Sequence, residues 1–136
     1  MPQAMATEIE KQCETIEECY EFTLSFAARG LASDEGSGLR ERLMRAATAM
    51  RGLEQSCAEA IGEERLAPVA QYEAFFAVVK RDAESALAAM ELVLAQPTIG
   101  SQLIDNLNAS IHLRALLADL FLVTEILEAR RRAAQA

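Results

Sequence analysis

The sequence is poor in the residues that break or turn a chain, with six Gly and three Pro in 136 residues. That scarcity excludes a sandwich or barrel built on many tight turns. Tryptophan is absent, and one His and three Cys leave too few ligands for most metal enzymes. Positive charge is also in deficit: 13 Lys and Arg stand against 21 Asp and Glu, for a net charge of −8. Such a chain repels phosphate, so no nucleic-acid partner is expected. The longest strongly apolar stretch, Ala115–Val123, is interrupted by Asp119 and is too short to span a bilayer. Met1-Pro2-Gln3 lacks the basic start of a secretory leader. With an odd number of Cys, the expectation is reduced thiols, a cytoplasmic location and no membrane partner.

What remains is rich in Ala, Leu and Glu, with 51% hydrophobic-class residues and 25% charged residues in 14.8 kDa. This is the composition of one packed helical domain. Thr7-Glu8-Ile9-Glu10 is a capping box, in which Thr7 accepts from an early backbone N–H and Glu10 reaches back to the cap. Ile9, Cys13, Ile16, Tyr20, Thr23 and Ala27 follow at spacings alternating between 4 and 3, a helical seam that Gly30 stops. Ser33–Gly38 reads as a loop, with Ser37 as N-cap of a second helix. The second seam is Leu39, Leu43, Ala46, Met50, Leu53, Cys57 and Ala60, with Gly62 as its C-cap. Gly52 inside it points to close packing or a kink. Pro68 suits the first turn of a third helix, whose seam runs from Val69 through Tyr72, Phe76, Val79, Ala83, Ala86 and Met90 to Val93. The expected organisation is a tail at 1–6, helices at about 7–29, 38–61, 68–96 and 99–129, and a basic tail at 130–136. Short connections make this an all-α, antiparallel up-down-up-down four-helix bundle with coiled-coil-like packing.

The fourth helix is unlike the others. Over residues 113–127, LRALLADLFLVTEIL, apolar side chains cover most of the circumference. A small bundle buries one stripe per helix, so the excess predicts a second contact surface, most simply another copy of the chain. Leu116, Leu120, Phe121, Leu122, Val123 and Leu127 are the candidate interface residues.

Signatures of chemistry are sparse. Carboxylate-bridged di-iron bundles need Glu-x-x-His on two helices, and the residue three before the single His112 is Ala109. No phosphate loop, dinucleotide fingerprint or zinc-ligand pairing occurs, so no cofactor, metal or catalytic residue is assigned. Asp105, Asn108, His112 and Asp119 fall at helical spacings and predict one polar ridge. On it, His112 is a candidate phosphotransfer histidine, although Leu113, Arg114 and Ala115 replace the Lys and Gly such modules carry after it. Cys13 and Cys57 fall at comparable levels of two neighbouring helices, either as a redox or metal pair or as two small core residues, the latter being preferred. Cys19 lies off the seam and is the expected exposed thiol. Arg40, Arg42, Arg45 and Arg51 are expected to pair with Glu10, Glu14, Glu17, Glu18 and Glu21 of the first helix. Arg130, Arg131 and Arg132 complement the negative end of the last helix.

Residues 38–50, GLRERLMRAATAM, resemble the Gly-Leu…Arg-Ala-Ala segment of small four-helix-bundle proteins encoded in intervening sequences of ribosomal RNA genes. Residues 72–94, with Tyr72, Phe75 and Phe76, resemble the third helix of that family, which is related to the accessory variability protein of diversity-generating retroelements. The resemblance covers about half the chain and implies a bundle that assembles as a ring. After that segment Leu53-Glu54-Gln55-Ser56-Cys57 replaces the family's Asn-Ile-Ala-Glu-Gly, and this chain is acidic where the retroelement protein is basic. Nucleic-acid binding is therefore not implied. The sequence leads to a non-enzymatic, self-associating adaptor, dimer to pentamer, that binds an unidentified protein. The alternatives are a phosphotransfer module using His112 and a helical chaperone or cargo-binding module.

Overall fold

The computed structural model describes residues 7–135, and these form five α-helices with no strand among them. They are α1 (Glu8–Ala28), α2 (Leu39–Glu63), α3 (Val69–Leu94), α4 (Ser101–Ala109) and α5 (His112–Gln135). The helix α1 packs against α2, α4 and α5, and α3 packs against α2, α5 and α4. One continuous core runs between them, with Ile16, Phe26, Leu39, Leu43, Leu53, Ile104, Leu116 and Leu120 fully enclosed.

The first helix starts as the sequence dictates. Thr7 Oγ1 accepts from the Glu10 N–H at 3.1 Å, and Glu10 Oε1 accepts from the Thr7 N–H at 3.1 Å. Gly30 follows the last turn at φ 67°, the left-handed region that only glycine enters without strain. The seams of α1, α2 and α3 face inward with few exceptions. Tyr20, Ala27 and Tyr72 are partly buried, and Val69 at the start of α3 is exposed.

Several ends differ from expectation. The second helix begins one residue later than its Ser37 cap predicts: Gly38 takes the N-cap position in the left-handed region, while Ser37 Oγ accepts from the Leu39 N–H at 3.1 Å. At its other end α2 runs through Gly62 and closes beyond it. The Leu66 N–H reaches Ile61 O at 3.1 Å, the Arg65 N–H reaches Gly62 O at 3.3 Å, and Arg65 takes φ 50°. This is a Schellman closure, secured by burial of Leu66. Pro68 is the N-cap of α3 rather than a residue of its first turn.

The largest departure is in the last segment, where one helix was expected over 99–129. The chain breaks after Ala109, with Ser110 as C-cap and Ile111 at φ 65°. Ser110 closes the helix end twice over, donating to Leu107 O from its N–H at 3.2 Å and from its Oγ at 2.6 Å. The helix then restarts and continues to Gln135, so residues 130–135 are helical rather than a tail. A β-branched residue at positive φ is strained by about 1–2 kcal/mol. Ile111 is exposed, so Ile111→Gly is expected to stabilise the protein by about 0.5–1 kcal/mol after the chain entropy of glycine is included. Urea denaturation checks this, and a loss of stability would contradict it.

Two polar clasps join the ends of elements far apart in sequence. Ser101, buried at the start of α4, donates through Oγ to Phe26 O at 2.6 Å and accepts from the Leu31 N–H at 2.8 Å. Its own N–H donates to Leu31 O at 2.8 Å. Gly100 permits this approach, because a Cβ there would stand 3.1 Å from the carbonyl oxygens of both Leu31 and Ala32. The second clasp centres on Asp34. Its Oδ1 accepts from the Ile99 N–H at 2.9 Å and its Oδ2 from Arg40 Nε at 2.8 Å, while Arg40 also donates to Leu94 O and Gln96 O.

Candidate functional site

The two sides of α5 outside the core carry most of what the fold leaves unexplained. The packing of α5 against its neighbours divides its apolar residues cleanly. Leu116, Leu120, Val123 and Leu127 are buried in the chain's own core, so four of the six expected interface residues face inward. They recur at intervals of 4, 3 and 4, the inward stripe of a packed helix. Phe121 and Leu122 stay 44% and 51% exposed, joined by Ile126 at 38%. Ile126 is not among the expected interface residues, although its position one turn after Leu122 is a usable signal.

On one side, α5 forms a groove of about 490 Å³ with α1, lined by Cys13, Glu14, Glu17, Glu18, Glu21, Phe121, Thr124, Glu128 and Glu10. Of these glutamates, Glu10 alone has an ion-pair partner among the described residues, Arg131 of α5. Burial raises the Glu10 carboxyl, but the bonds from Arg131 and Thr7 together outweigh it and hold the group below its ordinary 4.5.

The arginines of α2 do not pair with this acidic face. Arg40 belongs to the Asp34 clasp, Arg42 lies 4.4 Å above the Phe22 ring, Arg45 reaches Glu41 in its own helix, and Arg51 binds Glu91 of α3 at 2.8 Å. Their rotational positions on α2 point them at α3, at an aromatic ring or along the helix, which sequence alone does not reveal. The expected role of the terminal arginines also changes. Arg130 donates to Glu64 O and Arg65 O, closing the C-terminal carbonyls of α2, while Arg131 takes Glu10 and Arg132 takes Glu125.

The expected polar ridge does not form, because the break at Ser110–Ile111 separates its members. Asp105 and His112 are exposed, and His112 opens α5. Asn108 is buried with neither amide atom bonded. Asp119 is partly buried and meets Asp82 of α3.

Cys13, Cys19 and Cys57 are free and buried. Cys19 is therefore a core residue rather than the exposed thiol: the buried stripe of α1 is wider than its strict seam. Burial pushes the thiols up to about 11 for Cys13, aided by the neighbouring glutamates, and to about 12 for Cys19 and Cys57. At neutral pH these groups are protonated and are poor nucleophiles.

A second groove, of about 660 Å³, separates α1 from α2 and includes Gln12, Met44, Arg45 and Thr48. Gln12 crosses toward α2 at Gly52, where a Cβ would stand 2.7 Å from Nε2. The helix is continuous through Gly52, and what approaches it is the far end of the flexible Gln12 side chain.

Among the described residues no three His, Cys, Asp or Glu side chains gather in a way that would hold a metal ion. No described helix is long and apolar enough to cross a membrane. Comparison of the chain with protein-family models, with curated proteins and with solved structures finds no match.

Proposed function

We propose that this protein is a non-enzymatic, self-associating helical-bundle adaptor whose contact surface is the outer side of α5. In this reading α4 and α5 act together as the fourth rod of an antiparallel four-helix bundle. Contacts at both ends support it: Ser101 meets the end of α1, and Arg131 meets its beginning. A reducing cytoplasm suits three unpaired thiols. The ring-forming family that residues 38–50 and 72–94 resemble extends the range of assemblies from a dimer to a pentamer.

The observation that carries the proposal is the exposure of Leu122 and Ile126, one helical turn apart, with Phe121 beside them. Burying a large apolar side chain contributes about 1.5–3 kcal/mol, so a contact covering these three is worth several times thermal energy. The double substitution Leu122→Glu with Ile126→Lys tests it. The new charges sit at i and i+4 in the favourable order, which preserves the helix. Light scattering is expected to find smaller particles than for the unmodified protein, with unchanged helical circular dichroism. An unchanged particle mass would contradict this surface assignment.

A further inference from the structure

Asp119 lies on the side of α5 that meets α3, away from the glutamate groove lined by Phe121, Thr124 and Glu128. Its Oδ2 is buried and has no hydrogen-bond partner among the described residues. The group it meets is Asp82 of α3, another carboxyl, itself partly buried. Two half-buried carboxylates held this close compete for ionisation, because each charge raises the cost of the other. A single shared proton resolves the conflict, turning the repulsion into a charge-assisted O–H···O bond.

We propose that Asp82 and Asp119 form a proton-sharing latch between α3 and α5, and that loss of its proton loosens this seam. In the closed state the protonated Asp119 carboxyl donates to the Asp82 carboxylate. As pH rises the proton passes to solvent, and two like charges face each other across the seam. Leu122 and Ile126 lie one and two turns farther along α5, so the latch sits beside the exposed apolar surface without depending on what covers it.

Among the described residues the surroundings offer no competing counter-charge. On α3, Lys80 is bonded to Glu54 of α2, and Arg81 and Glu84 are exposed. From α1, Glu14, Glu17, Glu18 and Glu21 line the groove on the other side, and Glu10 is held by Arg131. Asp105 of α4, and His112, Arg114, Glu125 and Glu128 of α5, are exposed. Asp82 is the charged group acting on Asp119: burial first, then the bond and charge of Asp82, push its carboxyl up to about 7. A carboxyl raised in the folded state contributes stability that is fully present below its ordinary value of 3.8 and is lost as pH rises toward about 7.

The test is the pH profile of thermal unfolding from pH 5 to 9 for the unmodified protein, Asp119→Asn and Asp82→Asn, with a carbon-detected NMR titration of the aspartate carboxyls in the unmodified chain. The melting temperature of the unmodified protein should fall between pH 5 and about 7 relative to both variants and stay lower above it. At the alkaline end each variant should melt several degrees higher, since a one-unit shift already corresponds to a measurable change in melting temperature. One aspartate should titrate near neutrality. Parallel melting profiles, or ordinary titration of every aspartate, would overturn the latch. If a variant does not fold, the NMR titration of the unmodified protein decides alone.

Discussion

Leu120→Ala is expected to destabilise the protein by about 2–5 kcal/mol, the range for emptying a leucine site in a close-packed core. Leu120 has no exposed surface and projects from α5 into the space shared with α1 and α3. Its loss leaves a cavity that the facing helices fill only by moving together, which the clasps at their ends resist. Leu122→Ala, two positions later, removes the same methyl groups from a half-exposed site and should change the stability of the separated protomer by well under 1 kcal/mol, its larger effect falling on self-association. Chemical denaturation of the two variants in parallel checks the facing of α5. Equal losses would contradict the division of this helix into inner and outer stripes.

Asp34→Ala should give the next largest loss, about 2–3 kcal/mol, because both carboxylate oxygens are engaged and their partners have no substitute. The Ile99 N–H belongs to a fully buried residue, and Arg40 keeps only the carbonyls of Leu94 and Gln96. One side chain thus ties the α1–α2 connection to the segment between α3 and α4. The bond from the Ile99 N–H, with the Arg40 guanidinium, holds Asp34 below its ordinary 3.8 against the opposing effect of burial. The sign for this group is opposite to that for Asp119. Stability from Asp34 is fully present above pH 3.8 and is lost as pH falls through the lowered folded-state value. Acid titration of the unmodified protein should therefore show an acid-induced loss that Asp34→Ala diminishes. Identical acid profiles would contradict the clasp.

The spacing of apolar residues made much of α1, α2 and α3 legible, because a helix that buries one face repeats its core residues every three or four positions. The capping box at Thr7 was legible for a similar reason: both halves of it lie within one turn. The break between α4 and α5 was harder to read. Its marks are Asn106, Asn108 and Ser110, polar residues that weaken a helix through local hydrogen bonding. They carry neither the fixed φ of proline nor the freedom of glycine. Charge pairing was least legible, since it depends on the rotation of whole helices about their axes. Arg42 finds Phe22 and Arg130 finds the carbonyls ending α2, and neither partner is marked by charge in the sequence.

The same limit applied to the candidate surface. The apolar excess of the last helix was visible, but its partition was not. Leu116 and Leu120 could be distinguished from Leu122 only once α1 and α3 were in place on either side of α5. The partial exposure of Phe121 and Ile126 follows from the same placement. Asp119 read as one member of a ridge, and its pairing with Asp82 depends on the register of α3 against α5.

In the proposed assembly the outer apolar side of α5 is covered by other copies of this chain. The mass of the unmodified protein in dilute solution, measured by light scattering behind size exclusion, tests it most directly. A single species of two to five times 14.8 kDa is expected. A monodisperse particle of 14.8 kDa at micromolar concentration would contradict it.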